Sequence, residues 1–442
     1  MKKLLLICSL IGIQAIFAQN IIFSDTNFKA TLLNSNVGVL PVAKDLAGNA
    51  TLVDSDNDGE ISQQEALNIS YINLGYAGIT SLEGLQFFTN LNYLNAQSYA
   101  LNSFNYPTLT NLKELYLESI VNQGALNSFD VSANINLRKL TLRSGNLTSI
   151  DLSNNTELTD LYLQGSTVTS LNLSNLSNLR TLNYSGNFDS IDLSDCTKLI
   201  SLTLGIYNST SGSCNLAAID LTNQPLLINL TLMGTSVTSL DLSTNTNLEN
   251  LYVDNNKIES INFGPLVYVR QIFCDNNRLT NLNVNNFQNL DALYCRNNFL
   301  TQLSLKNFKL ETYVDFANNP GLLSICCDPE QYVYIQNQCL LNGNYDTVVG
   351  TNCTSDGVLL ATNTVKKDTN AILVFPNPAQ DYLYFDTEKE VTKLDIYDSN
   401  ARFLKTAVLK NDKVNISELQ SGLYFLKVYT NGTVSNIKIM KK

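Results

Sequence analysis

Leu248-Glu249-Asn250-Leu251-Tyr252-Val253 returns as Val269-Arg270-Gln271-Ile272-Phe273-Cys274, and again as Leu290-Asp291-Ala292-Leu293-Tyr294-Cys295. The same L-x-x-L-x-L spacing is read earlier at Leu158-Thr159-Asp160-Leu161-Tyr162-Leu163 and Leu179-Arg180-Thr181-Leu182-Asn183-Tyr184. In an extended segment alternate residues share a face, so the last and third-last residues of each copy point one way and the residue between them the other. A period of roughly 21 residues means that one short strand recurs once per turn of a solenoid, in which neighbouring turns bury each other's apolar face. Working outward, the inward pairs are Ile72/Leu74, Leu94/Ala96, Leu115/Leu117, Leu140/Leu142, Leu161/Leu163, Leu182/Tyr184, Leu202/Leu204, Leu230/Leu232, Leu251/Val253, Ile272/Cys274, Leu293/Cys295 and Val314/Phe316, twelve turns in all.

Two steps are longer than the rest, after Leu117 and after Leu204. Their extra residues, around Val121–Gly124 and Asn208–Gly212, are expected as surface excursions. Each turn carries a second apolar pair, as in Ser149-Ile150-Asp151-Leu152 and Ser239-Leu240-Asp241-Leu242, so little helix is expected in the repeats. Asn256, Asn277, Asn298 and Asn319 share one repeat position, where a carboxamide can satisfy backbone groups of a buried bend. Ser166, Cys214 and Thr235 take that position elsewhere, whereas Cys196 has no evident place.

The outward residue between the inward pair is Tyr116, Tyr162, Tyr252, Phe273 and Tyr294 in five turns. The last three are consecutive and should stack about 5 Å apart, with Asp254, Asp275 and Arg296 beside them. Such a strip on a concave face suits a glycan or protein ligand, although aromatic residues also favour strands for their own sake.

Asp54-Ser55-Asp56-Asn57-Asp58-Gly59-Glu60-Ile61-Ser62-Gln63-Gln64-Glu65 meets the calcium-loop template at every position. Asp54, Asp56 and Asp58 would give side-chain oxygens and Glu60 its carbonyl. Ser62 would act through water, and Glu65 would bind with both oxygens. Hard oxygen donors suit calcium rather than a transition metal. Only the outgoing side, from Gln63, reads as helix. One such loop does not make a paired sensor, so a structural calcium ion that orders an N-terminal cap is the expectation. After the last repeat, Cys326, Cys327, Cys339 and Cys353 read as disulfide candidates. Adjacent Cys326 and Cys327 would each pair with one of the other two, the order left open. Cys274 and Cys295 read as buried small hydrophobes.

These residues carry a resemblance. The repeat region resembles secreted bacterial leucine-rich repeat proteins, the broad class that includes internalin-type surface proteins. Asp25–Leu33 together with the acidic loop resembles the N-terminal cap common in them. The tail holds Phe375-Pro376-Asn377-Pro378-Ala379, alternating strands such as Lys393–Tyr397, Gly422-Leu423-Tyr424, and the terminal Lys441-Lys442. It resembles the C-terminal sorting domain of type IX secretion in Bacteroidetes. That resemblance implies passage through the outer membrane, removal of the tail, and either release or attachment to surface lipopolysaccharide.

The organisation expected is a signal peptide over 1–18, a cap over 19–67 and a leucine-rich repeat solenoid over 68–325. A cysteine-rich cap over 326–353, a linker over 354–371 and the sorting domain over 372–442 complete it. The fold class is an α/β-type solenoid dominated by short parallel strands, about twelve turns, plus a small antiparallel β-sandwich. Among 442 residues there is no His and no Trp, and the formal net charge is −11. Without His, most nucleophilic and zinc chemistry is excluded, and no convergent carboxylate pair suggests glycoside hydrolysis. The acidic balance argues against nucleic acid, and no segment after the leader is apolar enough to span a membrane. The function expected is recognition or adhesion, binding an extracellular protein or polysaccharide, with a structural coat component as the alternative; an enzyme is not expected.

Overall fold

The computed structural model describes residues 19–35, 40–75, 77–97, 101, 103–119, 126, 128–144, 147–165, 168–206, 214–342, 344, 346–354, 358, 372–377, 379–386, 390–399, 402–409, 413–431 and 433–442. The leader, both expected excursions, Ser166, Pro378 and nearly all of the linker lie outside them. The chain forms two compact units, one of residues 1–280, 286–298 and 311–314, the other of 281–285, 299–310 and 315–442.

The first unit is organised by one thirteen-stranded sheet. Twelve strands come one from each repeat: Ile69–Asn73, Tyr93–Gln97, Glu114–Ser119, Lys139–Ser144, Asp160–Gln164, Thr181–Tyr184, Ser201–Gly205, Asn229–Met233, Asn250–Tyr252, Gln271–Phe273, Ala292–Tyr294 and Tyr313–Asp315. Registers align the inward residues of successive turns: Ile72 with Leu94, Leu182 with Leu202, Leu251 with Ile272 and Ile272 with Leu293. The longer steps leave register intact, since Leu115 still faces Leu140 and Leu202 faces Leu230. The inward residues of all twelve turns are buried. Among the described residues the repeats hold one 3-10 turn, Leu85–Phe87, and no α-helix, because the second apolar pair of each turn builds short extended segments instead.

The buried bend is held by two columns of polar side chains. Asn277 donates through Nδ2 to the carbonyls of Val253 (2.7 Å) and Cys274 (3.1 Å), and its Oδ1 accepts from the Ile258 N–H (3.0 Å). Asn298 repeats the pattern against Cys274, Cys295 and Leu279. Thr235 hands its hydroxyl to Asn256, and the Cys214 thiol points at the Phe188 carbonyl. A second column, which the sequence reading missed, consists of Asn134, Asn155, Gln224 and Asn245; Asn155, for instance, donates to the carbonyls of Val131 and Asn134. Cys196 occupies this position in its own turn and is fully buried, which gives it the place it lacked.

At the first edge, Ala43–Asp45 pairs antiparallel with Ile69–Asn73. Helix α1 (Thr26–Leu33) buries Phe28 and Leu32, one turn apart. Its N-cap Asp25 accepts from the N–H groups of Asn27 (2.8 Å) and Phe28 (3.0 Å). The other oxygen accepts from the Thr80 N–H (2.6 Å) and hydroxyl (2.7 Å), tying the cap to the first repeat. Burial pushes the Asp25 carboxyl up, but the bonds from Thr80, Phe28 and Ser81 outweigh it and hold it below the usual value.

The second unit contains a parallel sheet of Asn281–Asn283, Gln302–Leu305, Ser324–Cys327 and Val348–Gly350, with the helix Tyr332–Leu341 between the last two strands in the chain. Its tail is a sandwich of two antiparallel sheets. Leu373–Phe375, Tyr382–Asp386 and Lys413–Asn415 form one; Phe403–Ala407, Val391–Asp398, Gly422–Thr430 and Thr433–Lys441 form the other. Leu383 and Phe385 from the first sheet and Leu394, Ile396, Leu426, Val428 and Ile439 from the second share one buried core. The fold class is the one expected, a solenoid of about twelve parallel turns with a small antiparallel sandwich.

Cys326 is bonded to Cys353, whereas Cys327 and Cys339 are buried thiols, so the second expected bond is not formed. Alternation along the strand explains the split. Cys326 sits opposite Gly350, three residues before Cys353, while Cys327 points to the other face.

Candidate functional site

In-register strands sort the outward residues of the long sheet into columns. The middle column runs Asn95, Tyr116, Thr141, Tyr162, Asn183, Thr203, Thr231, Tyr252, Phe273, Tyr294. Tyr252 and Phe273 have ring centroids 5.1 Å apart, and Phe273 stacks on Tyr294 at 4.7 Å. The three-ring ladder is therefore present, and its rings are half-buried rather than fully exposed. Tyr116 and Tyr162 do not extend it: Thr141 stands between them, and three small residues separate Tyr162 from Tyr252.

A second stack was missed. Tyr71 lies on Tyr93 at 4.2 Å, nearly parallel, and Tyr93 meets Tyr116 at 5.4 Å. Tyr71 and Tyr93 precede the first inward residue of their turns, and the same alternation turns them outward. Lys44 caps the stack 4.6 Å from the Tyr71 centroid. Burial, with Glu114 beside it, raises the Tyr116 hydroxyl well above its ordinary value; that hydroxyl donates to Glu114 at 3.1 Å.

Beside the three-ring ladder the predicted charges form a chain. The Asp254 carboxylate accepts the Asp275 N–H (2.8 Å), and Asp275 accepts both the backbone N–H (2.6 Å) and the Nε (2.9 Å) of Arg296. Burial foremost, and then the charge of Asp275, push the Asp254 carboxyl up to about 6. Between the two stacks the outward face sinks into a hollow of about 710 Å³. Its floor is Asn183, Ser185, Thr203, Gly205 and Thr231; Arg143 and Gln164 stand at one end, Tyr252, Asp254 and Phe273 at the other. Gly205 is needed there. Its φ of +112° is left-handed, and a Cβ would lie 2.0 Å from the Met233 carbonyl oxygen. The sequence carried the signal for this hollow as a run of small residues in the outward column, readable only once the columns are aligned.

The acidic loop is folded as a tight turn. Asn57 and Gly59 adopt left-handed φ values of 62° and 83°. Asp54, Asp56 and Asp58 each bring a carboxylate oxygen within 4.8 Å of the others. Burial and the neighbouring carboxylates Asp58, Glu65 and Asp54 raise the Asp56 carboxyl, a repulsion that a cation would relieve. The Glu60 side chain, which the template does not use, pairs with Lys29 (2.7 Å). Ser62 and Glu65, the other two expected ligands, also have a structural role. They form the capping box of α2 (Gln63–Ala66), with Glu65 accepting from the N–H and hydroxyl groups of both Ser55 and Ser62. The donor set of three convergent carboxylates fits a hard cation; Glu65 joins it only by giving up those bonds. The loop is braced by the first described residues: Ile21 N–H donates to the Ile61 carbonyl (2.8 Å) and Gln63 N–H to that of Gln19 (3.0 Å).

Residues 373–442 match the family described as a secretion system C-terminal sorting domain. No curated protein sequence matches the chain. Among solved structures, the functional domain of InlJ from Listeria monocytogenes, which includes a cysteine ladder, is 17% identical with a TM-score of 0.52, covering 87% of this chain and 93% of that one. The internalin InlF of the same organism gives 18%, 0.46, 77% and 99%, and a leucine-rich repeat protein of Leptospira interrogans 16%, 0.38, 65% and 97%. The protein is thus a leucine-rich repeat solenoid carrying a C-terminal sorting domain of type IX secretion. Among the described residues no helix is long and apolar enough to cross a membrane.

Proposed function

We propose that the protein is an exported recognition protein whose outward sheet face binds an extracellular glycan or protein. The sorting domain delivers it through the type IX machinery, and removal of that domain leaves it released or attached at the outer surface. The observation that carries this reading is the hollow of about 710 Å³ set between two aromatic stacks on one continuous sheet. Its volume lies within the roughly 300–1,000 Å³ of ordinary ligand sites. Half-buried rings fixed by neighbours lose little entropy on binding. The test is to titrate the exported protein against a panel of polysaccharides and extracellular proteins. Saturable binding to a defined member supports recognition, and concentration-dependent self-association with no such binding supports a coat component instead.

The acidic loop serves this function by ordering the cap. In this reading calcium is held by Asp54, Asp56 and Asp58 with the Glu60 carbonyl, and its charge offsets the repulsion among the carboxylates. Chelation should lower the melting temperature by several degrees, and an unchanged melting temperature would remove calcium from the account.

A further inference from the structure

We propose that the ligand presents an uncharged oligosaccharide segment to this face, and that its sugar rings occupy the hollow as the missing rungs of the aromatic ladder. The inference rests on the recognition reading above and names its ligand class.

The ladder ends abruptly. Phe273 covers one side of the Tyr252 ring, 5.1 Å away, but on the other side the register partner is Thr231, too short to cover a ring. The last ring of the stack therefore turns an open face into the hollow, and the Tyr252 hydroxyl, donating to Gln271 Oε1, fixes its orientation. From the turn of Gln164 to that of Tyr252 is four strand spacings, roughly 19 Å, which suits a chain of several sugar rings.

The polar groups point to an uncharged ligand. The floor offers the amide of Asn183 and the hydroxyls of Ser185, Thr203 and Thr231, groups that both donate and accept. The charged residues around it are already engaged. Arg143 is paired with Glu118 (3.0 Å) and with Gln164 Oε1 (2.7 Å), and Asp254 accepts the Asp275 N–H. Among the described residues of this lining a polyanion would find no unpaired cation. An extended peptide would find no strand edge, because each strand under the hollow is hydrogen-bonded on both sides. An aromatic face next to a floor of hydroxyls and amides matches a sugar ring, apolar on one face and rimmed with hydroxyls.

The experiment uses the full exported protein. Cellotetraose, chitotetraose and a linear mannotetraose are titrated by calorimetry and by tyrosine fluorescence, which the absence of Trp leaves unmasked. One of them should saturate. Thr231→Phe fills the first missing rung and Tyr252→Leu removes the platform; each should weaken binding by about tenfold or more, roughly 1.4 kcal/mol, with the melting temperature kept. Thr141→Phe, on the same column between Tyr116 and Tyr162, should leave binding unchanged. If no saccharide binds but an extracellular protein does, and the variants weaken that protein's binding, the glycan inference is overturned and the recognition reading stands. Saccharide binding unchanged in both folded variants overturns the placement in the hollow. If neither saccharide nor protein binds, both readings fail.

Discussion

The buried bend and the outward face of the same sheet follow opposite rules. In the bend, Asn256, Asn277 and Asn298 make nearly the same bonds turn after turn, to three carbonyls and one N–H each. On the outward face the column changes from ring to hydroxyl and back, as Tyr162, Asn183, Thr203, Thr231, Tyr252. The bend meets an identical demand in each turn, since backbone groups removed from water need partners. The outward face meets no such demand, so its variation is open to a ligand. Regularity therefore locates what holds the fold, and departure from regularity locates what can recognise something.

The sharpest way to break this contrast is in the bend. Asn277→Ala strands the Ile258 N–H, at roughly 1–3 kcal/mol, and takes one of two amide donors from each of the Val253 and Cys274 carbonyls, which keep Asn256 and Asn298, at about 0.5–1.5 kcal/mol each. Urea unfolding should show a loss of about 2–6 kcal/mol. A loss near that of an exposed surface substitution would mean that the column does not hold the turns. Asp25→Ala comes next, with about 2–4 kcal/mol, because it removes a helix cap and the tie to Thr80. The folded pKa of Asp25 lies below the unfolded 3.8, so its contribution is present above that value and lost as pH falls through the folded one. The difference in melting temperature between wild type and variant should accordingly shrink between pH 6 and pH 3.

On the outward face the sign reverses. Asp254 is raised to about 6, so between roughly pH 4 and pH 6 the folded state binds more protons than the unfolded one, and stability falls as pH rises. Asp254→Asn keeps an acceptor for the Asp275 N–H and should stabilise the protein by about 1–3 kcal/mol at pH 7, with the gain vanishing near pH 4. A destabilised variant at pH 7 would show that the charge itself is needed there.

The sequence was most informative where the demand repeats. Period, inward pairs, the asparagine position and the antiparallel tail all follow from alternation and burial, which act on each turn alike. The ladder of Tyr252, Phe273 and Tyr294 was readable for the same reason. The stack of Tyr71 and Tyr93 was not, because these rings sit two residues earlier in the strand, in the column beside that of Tyr116. The hollow escaped because it is made by what is absent: Gly205 and three small neighbours matter only when set beside Gln164 and Tyr252, far off in sequence. In the acidic loop the turn and its three aspartates were readable from the template, whereas the second use of Glu65, as the capping-box acceptor for Ser55 and Ser62, was not. Cysteine spacing could not choose among pairings, since the choice depends on which face of the strand Ser324–Cys327 each thiol takes.

The most direct test of the contrast removes the rings and leaves the bend untouched. The triple variant Tyr252→Ala, Phe273→Ala, Tyr294→Ala should be compared with wild type in one calorimetric titration against the ligand found by the panel, alongside a thermal melt. Binding abolished with a cooperative melt retained is the result this account predicts. Undiminished binding by the folded triple variant would contradict it.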